Sequence, residues 1–89
     1  MPNIFPSHFF DLSDMDHARE VKILAAFGKN LKKIRLQRGI STRELGHLAD
    51  MDYGNINEIE NGKKNPGLTT IVTLAEALGV DPRDMLPEK

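Results

Sequence analysis

The chain contains no cysteine, so it can build neither a disulfide framework nor a thiolate metal site. It has no apolar run long enough to span a bilayer, and Met1 to Leu12 carries neither a basic leader nor a continuous apolar stretch, unlike a secretory signal. A basic excess is also missing: 12 Lys and Arg stand against 13 Asp and Glu, a formal net charge of -1, whereas DNA-binding domains are commonly basic overall. There is no glycine-rich phosphate loop, no nucleophile paired with a base and no carboxylate pair spaced for acid-base work. The histidines His8, His17 and His47 are scattered without metal-ligand spacing. These absences predict a cytoplasmic protein that is not an enzyme, holds no metal or cofactor and does not insert into a membrane. The length of 89 residues suits one domain that folds unaided.

Charge is unevenly spread. Between Lys22 and Lys64 lie Lys22, Lys29, Lys32, Lys33, Arg35, Arg38, Arg43, Lys63 and Lys64, against only Glu44, Asp50, Asp52, Glu58 and Glu60, while both flanks are acidic. Positive charge confined to the middle of a chain points to one surface that faces a polyanion.

Periodicity predicts helices throughout. Pro2, Pro6, Phe5, Phe9 and Phe10 read as an irregular opening segment, and Ser13 with Asp14 and Asp16 as a helix start. Leu24, Phe27, Leu31 and Ile34 then recur at helical spacing as far as Gly39, with Gly28 inside the pattern, so the stretch is one long helix or two segments meeting at Gly28. Ser41 and Glu44 form a capping box that opens a short helix with Leu45, Leu48 and Ala49 inward. Asp52 caps a third helix that runs to Glu60, with Ile56 and Ile59 inward and Asn61-Gly62 as its stop. After the loop Lys63-Lys64-Asn65-Pro66-Gly67, a fourth helix runs from about Thr69 to Leu78 with Ile71, Leu74, Ala75 and Leu78 inward, and Asp81-Pro82 opens a short fifth helix that ends at Leu86. No segment alternates with period two, so the fold class is all-α.

The stretch from Ile40 to Gly62, ISTRELGHLADMDYGNINEIENG, resembles the bihelical motif of the phage-repressor and Cro-like (XRE) family of transcription regulators, and the likeness extends over roughly Leu24 to Leu86. It implies a five-helix, lambda-repressor-like DNA-binding domain over residues 21–89, with residues 1–20 as an N-terminal extension that lengthens or precedes the first helix. It further implies a homodimer on double-stranded DNA, most simply a repressor, with residues 52–60 in the major groove. On the family's pattern Tyr53, Gly54 and Glu58 face bases, Thr42, Arg43, Lys63, Lys64 and Asn65 lie beside phosphates, and Arg35 and Glu60 form an internal ion pair. Asn55 and Asn57 pair with adenine edges if they point outward, and Glu58 can accept from cytosine N4.

Two features depart from the family. Asp50 stands at the turn position usually held by glycine, which Asp tolerates better than most residues because it visits the left-handed region more readily. The recognition segment from Asp52 to Glu60 contains no Lys or Arg, so the commonest guanine contact is absent from it. That absence motivates a second reading, an antitoxin or adaptor that keeps the frame and binds a toxin or other regulator through its acidic termini or aromatic N-segment. A dimer contact would draw on Met85, Leu86, the end of the fourth helix and the N-terminal aromatics.

Overall fold

A computed structural model describes the backbone of residues 5–88 and the side chains of residues 16–88. The side chains of Phe5, Phe9 and Phe10, offered above to a dimer contact, and of His8 lie outside the described residues. The described chain is all-helical: α1 (Phe5–Gln37), α2 (Thr42–Ala49), α3 (Tyr53–Glu60), α4 (Leu68–Leu78) and a single 3-10 turn at Pro82–Met85.

Two boundaries differ from the sequence expectation, and a third question it left open is settled. The backbone is helical from Phe5, not from Ser13. Pro6 sits in the first turn, where a missing N–H costs nothing and the ring's fixed φ already suits the helix. Gly28 does not divide α1, which passes through it as one helix and also runs unbroken across residues 20 and 21. Among the described side chains, Asp16 to Ile23 are exposed and packing of α1 on the rest of the chain begins at Leu24. The fifth helix is only the four-residue turn; Leu86 is extended (φ -76°, ψ 146°) because the ring of Pro87 disfavours helical geometry in the residue before it.

The core joins Phe27 and Leu31 of α1, Leu45 and Ala49 of α2, Ile56 and Ile59 of α3, Leu74, Ala75 and Leu78 of α4, and Met85. Leu48, expected inside, is 58% exposed. The buried arc of α2 is centred on Leu45, Gly46 and Ala49, and Leu48 falls roughly 100° round the helix from that centre. Met85 is fully buried and therefore unavailable to a partner, whereas Leu86 is 45% exposed. Asn30 Nδ2 donates to Met85 O at 3.1 Å, tying the C-terminal turn to α1. Arg38, counted above in the basic middle of the chain, donates from Nε to Leu78 O at 2.8 Å, so one cation satisfies a terminal carbonyl of α4.

Between α2 and α3 the chain turns at Asp50, which has φ 55° and ψ 49°. A β-branched residue is far less tolerant of that conformation, so Asp50→Val is expected to cost about 1–2 kcal/mol in urea denaturation. Asp50→Gly should cost much less, and equal costs for the two would show that backbone conformation does not govern this position.

Candidate nucleic-acid interface

The geometry of α2 and α3 rests on caps that the local sequence supplies. Ser41 Oγ accepts from Glu44 N at 3.0 Å while Ser41 N donates to Glu44 Oε1 at 2.8 Å. At the other end of the turn, Asp52 Oδ1 accepts from Gly54 N at 3.0 Å. Gly46 lies where the two helices approach: a Cβ there would sit 2.7 Å from Met51 O and 3.3 Å from Tyr53 N. Any side chain at this position would push α3 away from α2.

The end of α3 closes with Gly62 N donating to Ile59 O at 3.1 Å and Lys63 N donating to Glu58 O at 2.8 Å, with Gly62 at φ 73°. This pair of bonds is a Schellman closure, which satisfies terminal carbonyls and reverses the chain. The reversal folds the following loop back along the outside of α3.

Arg35 and Glu60 form a bidentate pair: Nε to Oε2 at 2.7 Å and Nη2 to Oε1 at 3.0 Å. Both side chains are more than nine-tenths buried. Arg35 Nη1 also donates to Ile40 O at 2.9 Å, so one guanidinium fastens the end of α1, the loop before α2 and the end of α3. The hydrogen bonds and charge of the Glu60 carboxylate raise the Arg35 pKa above its ordinary value, so the guanidinium stays charged at any pH at which the protein is folded.

With Ile56, Ile59 and Glu60 turned inward, α3 offers Tyr53, Asn57 and Glu58 as exposed positions and Gly54 and Asn55 as half-buried ones. Thr42 is half-buried at the start of α2; Arg43, Lys63, Lys64 and Asn65 are exposed. Two contacts here are not legible in the sequence. The Arg43 guanidinium stacks over the Tyr53 ring, 4.6 Å from its centroid, with Nη2 3.3 Å from the phenol oxygen, a cation-π arrangement. Lys64 Nζ donates to Asn55 Oδ1 at 2.7 Å and lies 3.8 Å from Glu58 Oε1. Helix α3 carries no cation of its own, yet a cation from α2 covers its first residue and one from the following loop covers its outer flank. Among the described residues, no group of three or more His, Asp or Glu side chains is placed to hold a metal ion.

Two short helices joined through a left-handed turn and clamped by a shared core form a helix-turn-helix, the bihelical unit of many transcription regulators. The sequence profile of the Helix-turn-helix family HTH_3 matches residues 31–85. The chain is 36% identical over 61 residues to the control protein C.BamHI of Bacillus amyloliquefaciens, covering 67% of this chain and 75% of that protein. It is 31% identical over 61 residues to the HTH-type transcriptional regulator PuuR of Escherichia coli, covering 68% of this chain but only 33% of PuuR. Among solved structures it is similar to the restriction-modification controller protein C.AhdI from Aeromonas hydrophila, with a TM-score of 0.70, 33% identity and coverage of 71% of this chain and 96% of that one. The chain belongs to the HTH_3 family of helix-turn-helix transcription regulators.

Proposed function

We propose that this chain is a sequence-specific regulator of transcription that binds double-stranded DNA as a homodimer, laying α3 of each copy in the major groove and repressing by occluding a promoter. The controller role of C.AhdI is the setting proposed for it, given that the likeness spans nearly all of that protein. The observation that carries this reading is the placement of Arg43 on Tyr53 and of Lys64 on Asn55. These contacts bring positive charge to a recognition surface whose own helix has none, and that deficit was the ground for the adaptor reading. In this arrangement Tyr53, Gly54, Asn57 and Glu58 approach base edges, with Gly54 permitting close approach. Thr42, Arg43, Lys63 and Asn65 lie along the phosphates, which position the protein without reading sequence. The DNA-binding unit proposed over residues 21–89 is described as far as residue 88, and residues 5–20 extend α1 beyond it.

Selection from a random duplex library, followed by titration of the selected site at several salt concentrations, tests the proposal. The expected result is a palindromic site whose half-sites are separated by about one helical turn, roughly 34 Å, with affinity falling steeply as salt rises. Failure to enrich any site would overturn the proposal. Lys63→Gln is expected to weaken binding to all duplexes by a similar factor and to reduce the salt slope by about one. A change in base preference instead would remove Lys63 from the phosphates.

A further inference from the structure

We propose that Lys64 is a specificity-determining residue: with Asn55 and Glu58 it forms a composite reader of one G·C base pair, instead of serving as a phosphate contact. The inference rests on the DNA-binding reading above and assigns a base to one part of that interface.

Hydrogen-bond polarity fixes which atoms of this cluster can donate and which can accept. An ammonium group only donates, so the Asn55 amide must turn its oxygen toward Lys64 Nζ, as the 2.7 Å contact shows. That leaves the Asn55 NH₂, a donor, as the end of the amide not engaged by Lys64. Lys64 Nζ spends one hydrogen on Asn55 and keeps others free. Glu58 Oε1, 3.8 Å from Nζ, is too distant for a good hydrogen bond to it and remains an acceptor. The three side chains therefore present donor, donor and acceptor from a single cluster.

In the major groove a G·C pair presents guanine N7 and O6, both acceptors, and then the cytosine N4 donor. The cluster is its complement. An A·T pair presents acceptor, donor, acceptor, which sets Lys64 against the adenine amino group and Glu58 against thymine O4, a donor facing a donor and an acceptor facing an acceptor. The reversed C·G pair is mismatched at both ends.

The fold holds the cluster in place. The Schellman closure at Gly62 and Lys63 turns the chain back, and Lys64 is thereby delivered to the flank of α3. Lys64 and Glu58 are about half exposed, with side-chain exposures of 47% and 55%. Their mutual attraction is therefore weak in water, and both remain available to a base pair. Asn55 read alone would suit adenine, which needs both the donor and the acceptor of the amide; the Lys64 contact redirects it to guanine.

The test is to determine the site preference of the full chain and of Lys64→Ala, Lys64→Arg, Glu58→Ala and the Lys64→Ala/Glu58→Ala double variant, with circular dichroism confirming that each is folded. For the native chain, one position of each half-site is expected to favour G·C over A·T by about tenfold or more. Lys64→Ala and Glu58→Ala should each relax that same position and leave the other positions unchanged. The double variant should lose little more than either single one, and Lys64→Arg should keep the guanine preference. If Lys64→Ala weakens all duplexes equally, or relaxes a different base pair from Glu58→Ala, the composite reader is overturned while the DNA-binding proposal stands. If the native chain selects no duplex, both fail.

Discussion

Glu60→Ala is expected to lower the free energy of unfolding by about 3–5 kcal/mol, the cost of removing one partner from a buried ion pair. A domain of this kind has about 5–15 kcal/mol in total, so the variant should unfold at a much lower urea midpoint or fail to fold at ambient temperature. The size of the effect follows from what remains behind. The Arg35 side chain is 9% exposed; without the carboxylate it keeps only the Ile40 carbonyl as a described partner, and a guanidinium cannot relieve its burial by losing its proton. The native pair itself need not be worth that much. Replacing both residues together, as Arg35→Met with Glu60→Leu, should recover most of the loss, because two desolvated charges are exchanged for apolar contact. A loss of about 1 kcal/mol or less for Glu60→Ala, the range of a surface pair, would show that the pair does not clamp the bihelical unit.

The two residues of this pair lie far apart in the chain, and periodicity alone does not link them; only the resemblance to a known motif brought them together. The caps were legible for the opposite reason. Ser41 with Glu44, Asp52 with Gly54, and Gly79 with φ 70° are satisfied within a few residues, so their chemistry is written locally. Local pattern failed where tertiary context decides. Leu48 has the spacing of a core residue but lies beside the buried arc of α2, and a helix of eight residues is too short for periodicity to locate that arc within a residue. Met85 resembled a surface contact near the end of the chain, yet it closes the core under α1.

The interface was legible in outline only. Composition revealed that α3 has no cation, but not that Arg43 and Lys64 reach it from outside, because neither contact follows from spacing within one element. Asn61-Gly62 announced a stop; the direction in which the chain leaves it depends on the hydrogen bonds of Gly62 and Lys63. On the proposed reading, specificity is shared between α3 and the loop after it, while the helix before it adds phosphate contacts. If Lys64 reads a base as proposed, its substitution alters the preferred site without changing a residue of α3.

Gly28→Ala is the second large expected effect, and its sign is opposite to helix propensity. In an isolated helix the change would be favourable by about 1 kcal/mol. Here the added Cβ would lie 2.5 Å from Ile59 O and closer still to Glu60 O, and both are backbone atoms at the end of α3 that cannot swing aside as a side chain can. Overpacking of this kind typically costs about 1–3 kcal/mol. A rigid obstacle belongs at the upper end, so the expected net result is a loss of about 2 kcal/mol. The displacement should also disturb Glu60 and with it the Arg35 pair, which joins the same two helices. Affinity for the selected duplex is therefore expected to fall along with stability, because α3 is moved relative to α1 and to the loop that carries Lys64. Thermal unfolding and duplex titration of Gly28→Ala check both parts. A variant as stable as the native chain, or more so, would mean that α1 and α3 do not approach as closely as the Gly28 contact requires.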